Sequence, residues 1–272
     1  MGSPQVLAWP AQYWLLIRMW IRSSLAYPAS FVLMTVGFAL ITGLDFVAVL
    51  LMFSHIESFA GFGLAEMALL YATAAMSLGI ADLALGEIER VGNRIRSGEV
   101  DVWLVRPAGA FVQAAADNFA LRRIGKPLQA TVVLVGALVH LDLDWTAARV
   151  VVLATSMVTG ALIFGSIFVL GAAFQFVTND AAEVANAFTY GGQQLTQYPL
   201  AIFGREVVLA VTFVVPLAFV NYYPLLFVLD KPVPLGLPSW IGLLTPLVAA
   251  AMTAIAVTAW RAGLRRYRST GS

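Results

Sequence analysis

Six apolar stretches, each close to the length of a bilayer-spanning helix, constrain this 272-residue chain more than any other feature. The hydrocarbon core of a membrane requires about 20 consecutive apolar residues per helix. The predicted spans lie at about 29–54, 63–85, 124–141, 150–177, 207–229 and 240–260. Hydrophobic residues make up 60% of the chain and charged residues 11%, a balance that no soluble domain could bury. We therefore predict an all-α polytopic membrane protein with six transmembrane helices in one domain, residues 1–272.

The composition also excludes several classes of function. There is no cysteine, so disulfides, Cys-ligated zinc and thiol catalysis are ruled out, and two histidines cannot build a multi-histidine metal site. No phosphate-binding Walker A spacing and no nucleophile paired with a base occurs. A net charge of +1 argues against nucleic-acid binding. We predict no catalytic residue, no metal site and no cofactor bound by this chain.

Basic residues predict the orientation of the spans. Fourteen of the sixteen lysines and arginines fall in the connections on one side of the membrane, and only Arg149 and Lys231 fall on the other. Lys and Arg near helix ends resist translocation, so the basic side is predicted to be cytoplasmic, together with both termini. This orientation requires an even number of spans. Four or five spans with re-entrant pieces is the alternative.

Three segments outside the spans have distinct compositions. Residues 1–27 mix tryptophans and aliphatic residues with two arginines, which predicts an interfacial elbow helix or, alternatively, an aromatic extension of the first span. Residues 178–206 are polar and Gly-rich, and we expect them to be irregular. Residues 222–239 contain four prolines and form either a re-entrant cap between spans 5 and 6 or a plain outer proline-rich loop. Pro216 and Pro224 predict a kink or break in span 5.

Three carboxylates lie in or near spans, where acidic side chains are costly and are therefore often functional or internally paired. Asp45 and Glu66 are both predicted in the outer half of the membrane and could approach each other as a proton or cation relay. The alternative is a structural hydrogen bond to a neighbouring helix. Asp82 lies near the cytoplasmic end of span 2, within reach of water or Arg90, and we assign it no catalytic role.

The connection between spans 2 and 3, residues 86–125, is too long for a minimal link. Ile88, Val91 and Ile95 form one apolar stripe at helical spacing, and Ser97-Gly98 suggests a turn between two short helices. The apolar run 102–105 beside charged residues favours a protein-docking surface over a merely solvated basic loop.

Three segments carry a resemblance to a known family. They are Ser97–Pro107 (SGEVDVWLVRP) followed by Leu121-Arg122-Arg123, then residues 180–192 with Gln197-Tyr198-Pro199, and then residues 212–224, with the 260–272 tail in addition. In this order they resemble the six-span permease subunits of type-2 ABC exporters, in the branch formerly of unknown function. The resemblance covers nearly the whole chain.

This resemblance implies a non-catalytic subunit that forms half of an export pathway. Its partners would be a second permease, with a heterodimer favoured, two copies of a cytoplasmic ABC ATPase that bind ATP and Mg, and membrane lipids. Loop 86–125 would carry the coupling helix that docks on the ATPase, and the candidate coupling residues are Glu99, Asp101, Val102, Trp103, Leu104, Arg106 and Pro107. The Arg- and Ala-rich composition points to the inner membrane of a bacterium. An ion- or proton-coupled carrier using Asp45 and Glu66, and a membrane scaffold, are the alternatives; the transported substrate is not predicted.

Overall fold

The computed structural model describes residues 8–178 and 182–269, and it is all-helical, with no β-strand in these two ranges. The α-helices are α1 Trp9–Leu25, α2 Pro28–Phe53, α3 Leu64–Leu85, α4 Val91–Arg96, α5 Glu99–Val105, α6 Ala110–Ala116, α7 Gly125–His140, α8 Ala147–Gln175, α9 Ala182–Thr196, α10 Arg205–Leu209, α11 Tyr222–Val228 and α12 Thr245–Arg266. Short 3₁₀ turns join several of them.

The helices confirm a multi-pass membrane protein. In the described part of the chain, four helical stretches are long and apolar enough to cross a bilayer, and they contain α2, α3, α8 and α12. A fifth is present if the bent pair Arg205–Val214 and Leu217–Val228 counts as one span. The predicted third span is α7, whose 16 residues measure about 24 Å and fall short of the usual bilayer length. Six spans and the orientation of the termini therefore stay predictions.

The core lies where α3, α7, α8 and α12 pack together. α3 is buried along most of its length, and close helix contact depends on small residues. At Gly160 in α8, a Cβ atom would lie 2.5 Å from Ser77 Oγ and 2.8 Å from the carbonyl oxygen of Val220. In contrast, α2 lies at the periphery of the bundle, and only Thr35 and Val49 of its 26 residues are buried.

The predicted break in span 5 is confirmed. The chain runs through α10 and a π-helical turn, Ala210–Val214, and then bends by 79° next to Pro216. After the bend, residues 222–228 form the buried helix α11, so the chain is helical at the end of the predicted fifth span, where that span overlaps the proline-rich segment 222–239. Pro224 lies in the first turn of α11, where backbone N–H groups have no intrahelical partner, so it does not disrupt the helix. The loop proper begins after Val228.

The expectation that 178–206 is irregular is wrong for most of that segment, because α9 occupies Ala182–Thr196; residues 179–181 lie outside the described part. Tertiary contacts outweigh the weak helix propensity of its glycines. Gly192 packs against Leu217, and Lys126 Nζ donates to Gln193 Oε1 at 2.5 Å. Asn221 Nδ2 donates to the carbonyl oxygen of Thr196 at 2.9 Å.

Candidate functional site

Loop 86–125 folds into a series of short helices. A 3₁₀ turn, Gly86–Arg90, leads into α4, and α5 follows after the predicted turn at Ser97-Gly98, so two short helices joined by a turn are confirmed. Gly98 has φ of +74°, a conformation that residues with a Cβ atom rarely adopt. α5 ends where Arg106 becomes extended before Pro107, as expected for a residue that precedes proline.

One face of this segment is buried against the rest of the protein. The predicted stripe, Ile88, Val91 and Ile95, is buried. On α5, Val100 and Trp103 are also buried, one helical turn apart, and the Trp103 carbonyl oxygen accepts a hydrogen bond from Gln113 Nε2 at 2.9 Å. Trp103 therefore supports α5 from within the subunit instead of presenting its side chain to a partner.

The exposed residues of α5 form an apolar tip. Val102, Leu104 and Val105 are 44%, 51% and 83% exposed, although all three are apolar. We call these three residues the α5 tip. A cluster of exposed apolar side chains, on a segment whose other side chains pack against the protein, is a typical protein contact surface.

A buried arginine fastens the base of the loop to α3. Arg123 Nη1 lies 3.2 Å from Asp82 Oδ1, and Arg123 Nη2 lies 2.9 Å from Glu87 Oε1. Arg123 also donates to the carbonyl oxygen of Asp82 at 3.1 Å, while the hydroxyl of Tyr190 donates to Asp82 Oδ1 at 3.2 Å. The planar guanidinium suits two carboxylates at once. Asp82 is thus a structural ion-pair partner at the end of span 2.

A second buried contact fastens the loop to α8. Gln175, in the last turn of α8, accepts a hydrogen bond from the backbone N–H of Gly92 at 2.6 Å and donates to the carbonyl oxygen of Glu89 at 2.9 Å. A Cβ atom at position 92 would lie 2.5 Å from Gln175 Oε1, so a larger residue there would displace the Gln175 amide from its present position. Sequence reasoning missed Gln175; its only signal is an amide at the end of an apolar run.

A family model described as "ABC-2 family transporter protein" matches residues 39–271, which include the loop, both fastening contacts and the α5 tip. The chain belongs to this family. Its members are in general non-catalytic membrane subunits that typically work with an ATPase. No curated protein and no solved structure matches the chain significantly.

Two of the three charged coupling candidates of this ABC-2 permease, Glu99 and Asp101, have partners inside the subunit. Arg94 lies 2.6 Å from both Glu99 and Asp117. Asp101 accepts a hydrogen bond from Ser269 Oγ at 2.6 Å. Glu99 and Asp101 therefore contribute to the fold of the loop, whereas Arg106 and Pro107 are exposed next to the tip.

The two remaining intramembrane acids have different environments. Glu66 forms an ion pair with Lys231 at 3.0 Å and accepts a hydrogen bond from the N–H of Gly63 at 2.8 Å. This pairing fixes the loop after α11 against the start of α3 and gives Glu66 a partner other than the predicted Asp45. Asp45 is exposed on α2, and no hydrogen bond or ion pair to its carboxylate is found within 8–178 and 182–269.

Helix α1 packs beside the loop. Its Ile17 contacts Ala116 and Phe119, and the hydroxyl of Tyr13 donates to the carbonyl oxygen of Ala84 at 2.5 Å. Burial raises the pKa of Tyr13 to about 12, so the hydroxyl is a proton donor at any physiological pH. α1 thus covers the junction between α3 and the loop.

Proposed function

We propose that this ABC-2 permease is the transmembrane subunit of an ATP-driven exporter and that the α5 tip is its contact with a separate ATPase subunit. The proposal rests on the exposure of Val102, Leu104 and Val105 on a helix whose other face is buried in the subunit. A surface that only faced solvent would need no such cluster. Two copies of the ATPase would bind ATP and Mg, and their closure would move the permease through the loop.

The same proposal includes a topology. α2, α3, α7, α8, the bent pair and α12 are the six spans, α1 is an interfacial elbow helix, and loop 86–125 and both termini lie in the cytoplasm of a bacterium. The distribution of arginines supports this orientation. The helix α1, with Trp9 and Trp14 exposed, has the composition of a segment that lies in the headgroup layer.

The exposed face of α2 supports a second permease subunit, and the family resemblance favours a heterodimer over a homodimer. Asp45 lies eight residues before the end of α2 at Phe53, about 12 Å along the helix. A carboxylate facing lipid at the centre of a membrane costs about 2.5–3.5 kcal/mol even on insertion-based scales. A second subunit on this face would enclose Asp45 in a shared pathway and remove that cost.

Replacing residues of the α5 tip tests the ATPase contact. The permease is co-expressed with a candidate ABC ATPase from the same genome, and the amount of ATPase that co-purifies is measured. We expect Val105→Asp to abolish co-purification, because a charge would be desolvated at an apolar contact. Val177→Asp is the matched control, since Val177 is another exposed valine, located after the end of α8 and outside the α5 tip. Undiminished recovery with Val105→Asp would refute the assignment of the tip.

Asp45 also favours a second candidate function, an ion- or proton-coupled carrier, because its carboxylate is unpaired within the described chain. Purified permease in vesicles would then accumulate substrate under an imposed proton gradient without any ATPase, and Asp45→Asn would abolish the accumulation. Transport that depends on both the ATPase and ATP would count against this alternative.

A further inference from the structure

A groove of about 240 Å³ lies where the chain passes from α1 into α2. Its walls come from the end of α1, the first two turns of α2 and residues 118–122 of the loop. It lies on the arginine-rich side of the molecule, near the point where α2 enters the apolar layer. Trp20 and Tyr27 flank it, the two residue types that are enriched at membrane interfaces.

The polar wall of the groove contains hydrogen-bond donors and no acidic residue. Ser23, Ser24 and Ser30 line it together with Arg122, and no lining residue is Asp or Glu. Within residues 8–178 and 182–269, none of these serine hydroxyls takes part in a hydrogen bond, and no ion pair to Arg122 is found. The adjacent Arg123 points into the protein and is neutralised by two carboxylates. Arg122 therefore presents an uncompensated positive charge to the groove.

The other wall is apolar and runs along α2. Phe31 and Met34 lie one turn apart on the helix, and Met34 is about 6 Å further along the axis than Ser30. The groove therefore changes from hydroxyl and guanidinium groups to apolar side chains in the direction that α2 takes into the membrane. The first turn of α2, which contains no acidic residue, adds a weakly positive potential to the polar wall.

We propose that this groove binds one anionic phospholipid, with the phosphate at Arg122 and the serine hydroxyls and an acyl chain along Phe31 and Met34. Guanidinium and hydroxyl groups are the donors that proteins use for phosphate. A soluble phosphate would use only the polar wall, whereas a lipid uses both walls. The bound lipid would fill the junction between α1 and α2 and hold α1 in the headgroup layer.

Lipid retention by the full-length protein tests the proposal. The protein is reconstituted in nanodiscs with equal amounts of phosphatidylglycerol and phosphatidylcholine, and co-purifying lipid is counted by native mass spectrometry after extraction into detergent. We expect the wild type to retain one phosphatidylglycerol in preference to phosphatidylcholine. Arg122→Gln should lower this preference about fivefold, the effect of removing one arginine at an anionic membrane surface.

The matched control is Arg18→Gln, an exposed arginine of α1 that does not line the groove. It should keep the wild-type preference, whereas an equal loss in both variants would indicate a diffuse charge effect and overturn the site. Met34→Asp should also reduce retention, because it places a charge on the apolar wall. Displacement of phosphatidylglycerol by millimolar inorganic phosphate would overturn the lipid assignment, as would retention of both lipids in equal amounts.

Discussion

Gln175 is the residue whose replacement should loosen the loop most specifically. In Gln175→Leu, the N–H of Gly92 and the carbonyl oxygen of Glu89 lose their side-chain partner at distances that are now 2.6 and 2.9 Å. Gly92 lies at the start of α4, where backbone N–H groups depend on partners outside the helix. A buried backbone group left without a partner costs about 1–3 kcal/mol.

Hydrogen exchange measures this cost without knowledge of the substrate. If the opening free energy of the loop falls by about 1–3 kcal/mol, amide exchange in the 91–96 peptide should accelerate about 5- to 150-fold. Gln194→Leu is the matched control, because Gln194 is an exposed glutamine of α9. On the proposed function, Gln175→Leu should leave the ATPase bound, because the α5 tip is unchanged, while transport per ATP hydrolysed decreases.

Two results would refute this reasoning. Unchanged exchange in Gln175→Leu would mean that the hydrogen bonds to Gly92 and Glu89 do not hold the loop. An equal acceleration in Gln194→Leu would mean that the effect comes from general destabilisation and not from the contact between α8 and the loop.

Further replacements test the buried ion pairs and the close helix packing. Arg123→Leu leaves Asp82 buried without its cation and should lower the free energy of unfolding by about 3–5 kcal/mol. The measurement is the thermal midpoint in detergent, which should be clearly reduced. Arg265→Leu, at the exposed end of α12, should change the midpoint little. A similar midpoint for both variants would contradict the role of Arg123. Gly160→Val should cost about 1–3 kcal/mol through overpacking, while Gly136→Val, where no atom lies within 4 Å of a Cβ, should be tolerated; equal losses would contradict the packing argument.

The span boundaries were largely predictable, because apolar length is a local property of the sequence. The first two predicted spans, 29–54 and 63–85, differ from α2 and α3 by at most one residue at each end. The stripe of Ile88, Val91 and Ile95 was predictable for the same reason, since side chains three or four residues apart share a helix face.

The division of residues 102–105 between two faces of α5 was not predicted. The sequence suggested one surface at 102–105, but successive helical residues point about 100° apart. Helical spacing groups Val100 with Trp103 on the buried face and Val102 with Val105 on the exposed face. Treating the run as a helix would have separated Trp103 from the exposed residues of the α5 tip.

The continuation of α9 through its two glycines and the partners of Gln175 could not be predicted from local pattern. Gly191-Gly192 has weak helix propensity, and the contact of Gly192 with Leu217 and the buried hydrogen bonds of Gln193 and Asn221 help to hold this part of the chain in a helix. The bond from Gly92 to Gln175 joins residues 83 positions apart. Such pairings depend on the tertiary arrangement of α8 and the loop.

The polar contacts of Arg94, Arg123 and Gln175 differ in how strongly they hold the loop. Arg94 bridges Glu99 and Asp117 at 2.6 Å, but all three side chains are partly exposed, so water and salt weaken these pairs to about 1 kcal/mol or less. Arg123 and Gln175 are both buried. Arg123 joins the loop to Asp82 of α3, and Gln175 joins α8 to Gly92 of the loop. Because buried polar contacts are costly to break, we expect a displacement of the α5 tip to carry the ends of α3 and α8 with it as one rigid unit. High salt should therefore leave the link between the loop and these helices intact, although it weakens the exposed ion pairs of Arg94 with Glu99 and Asp117.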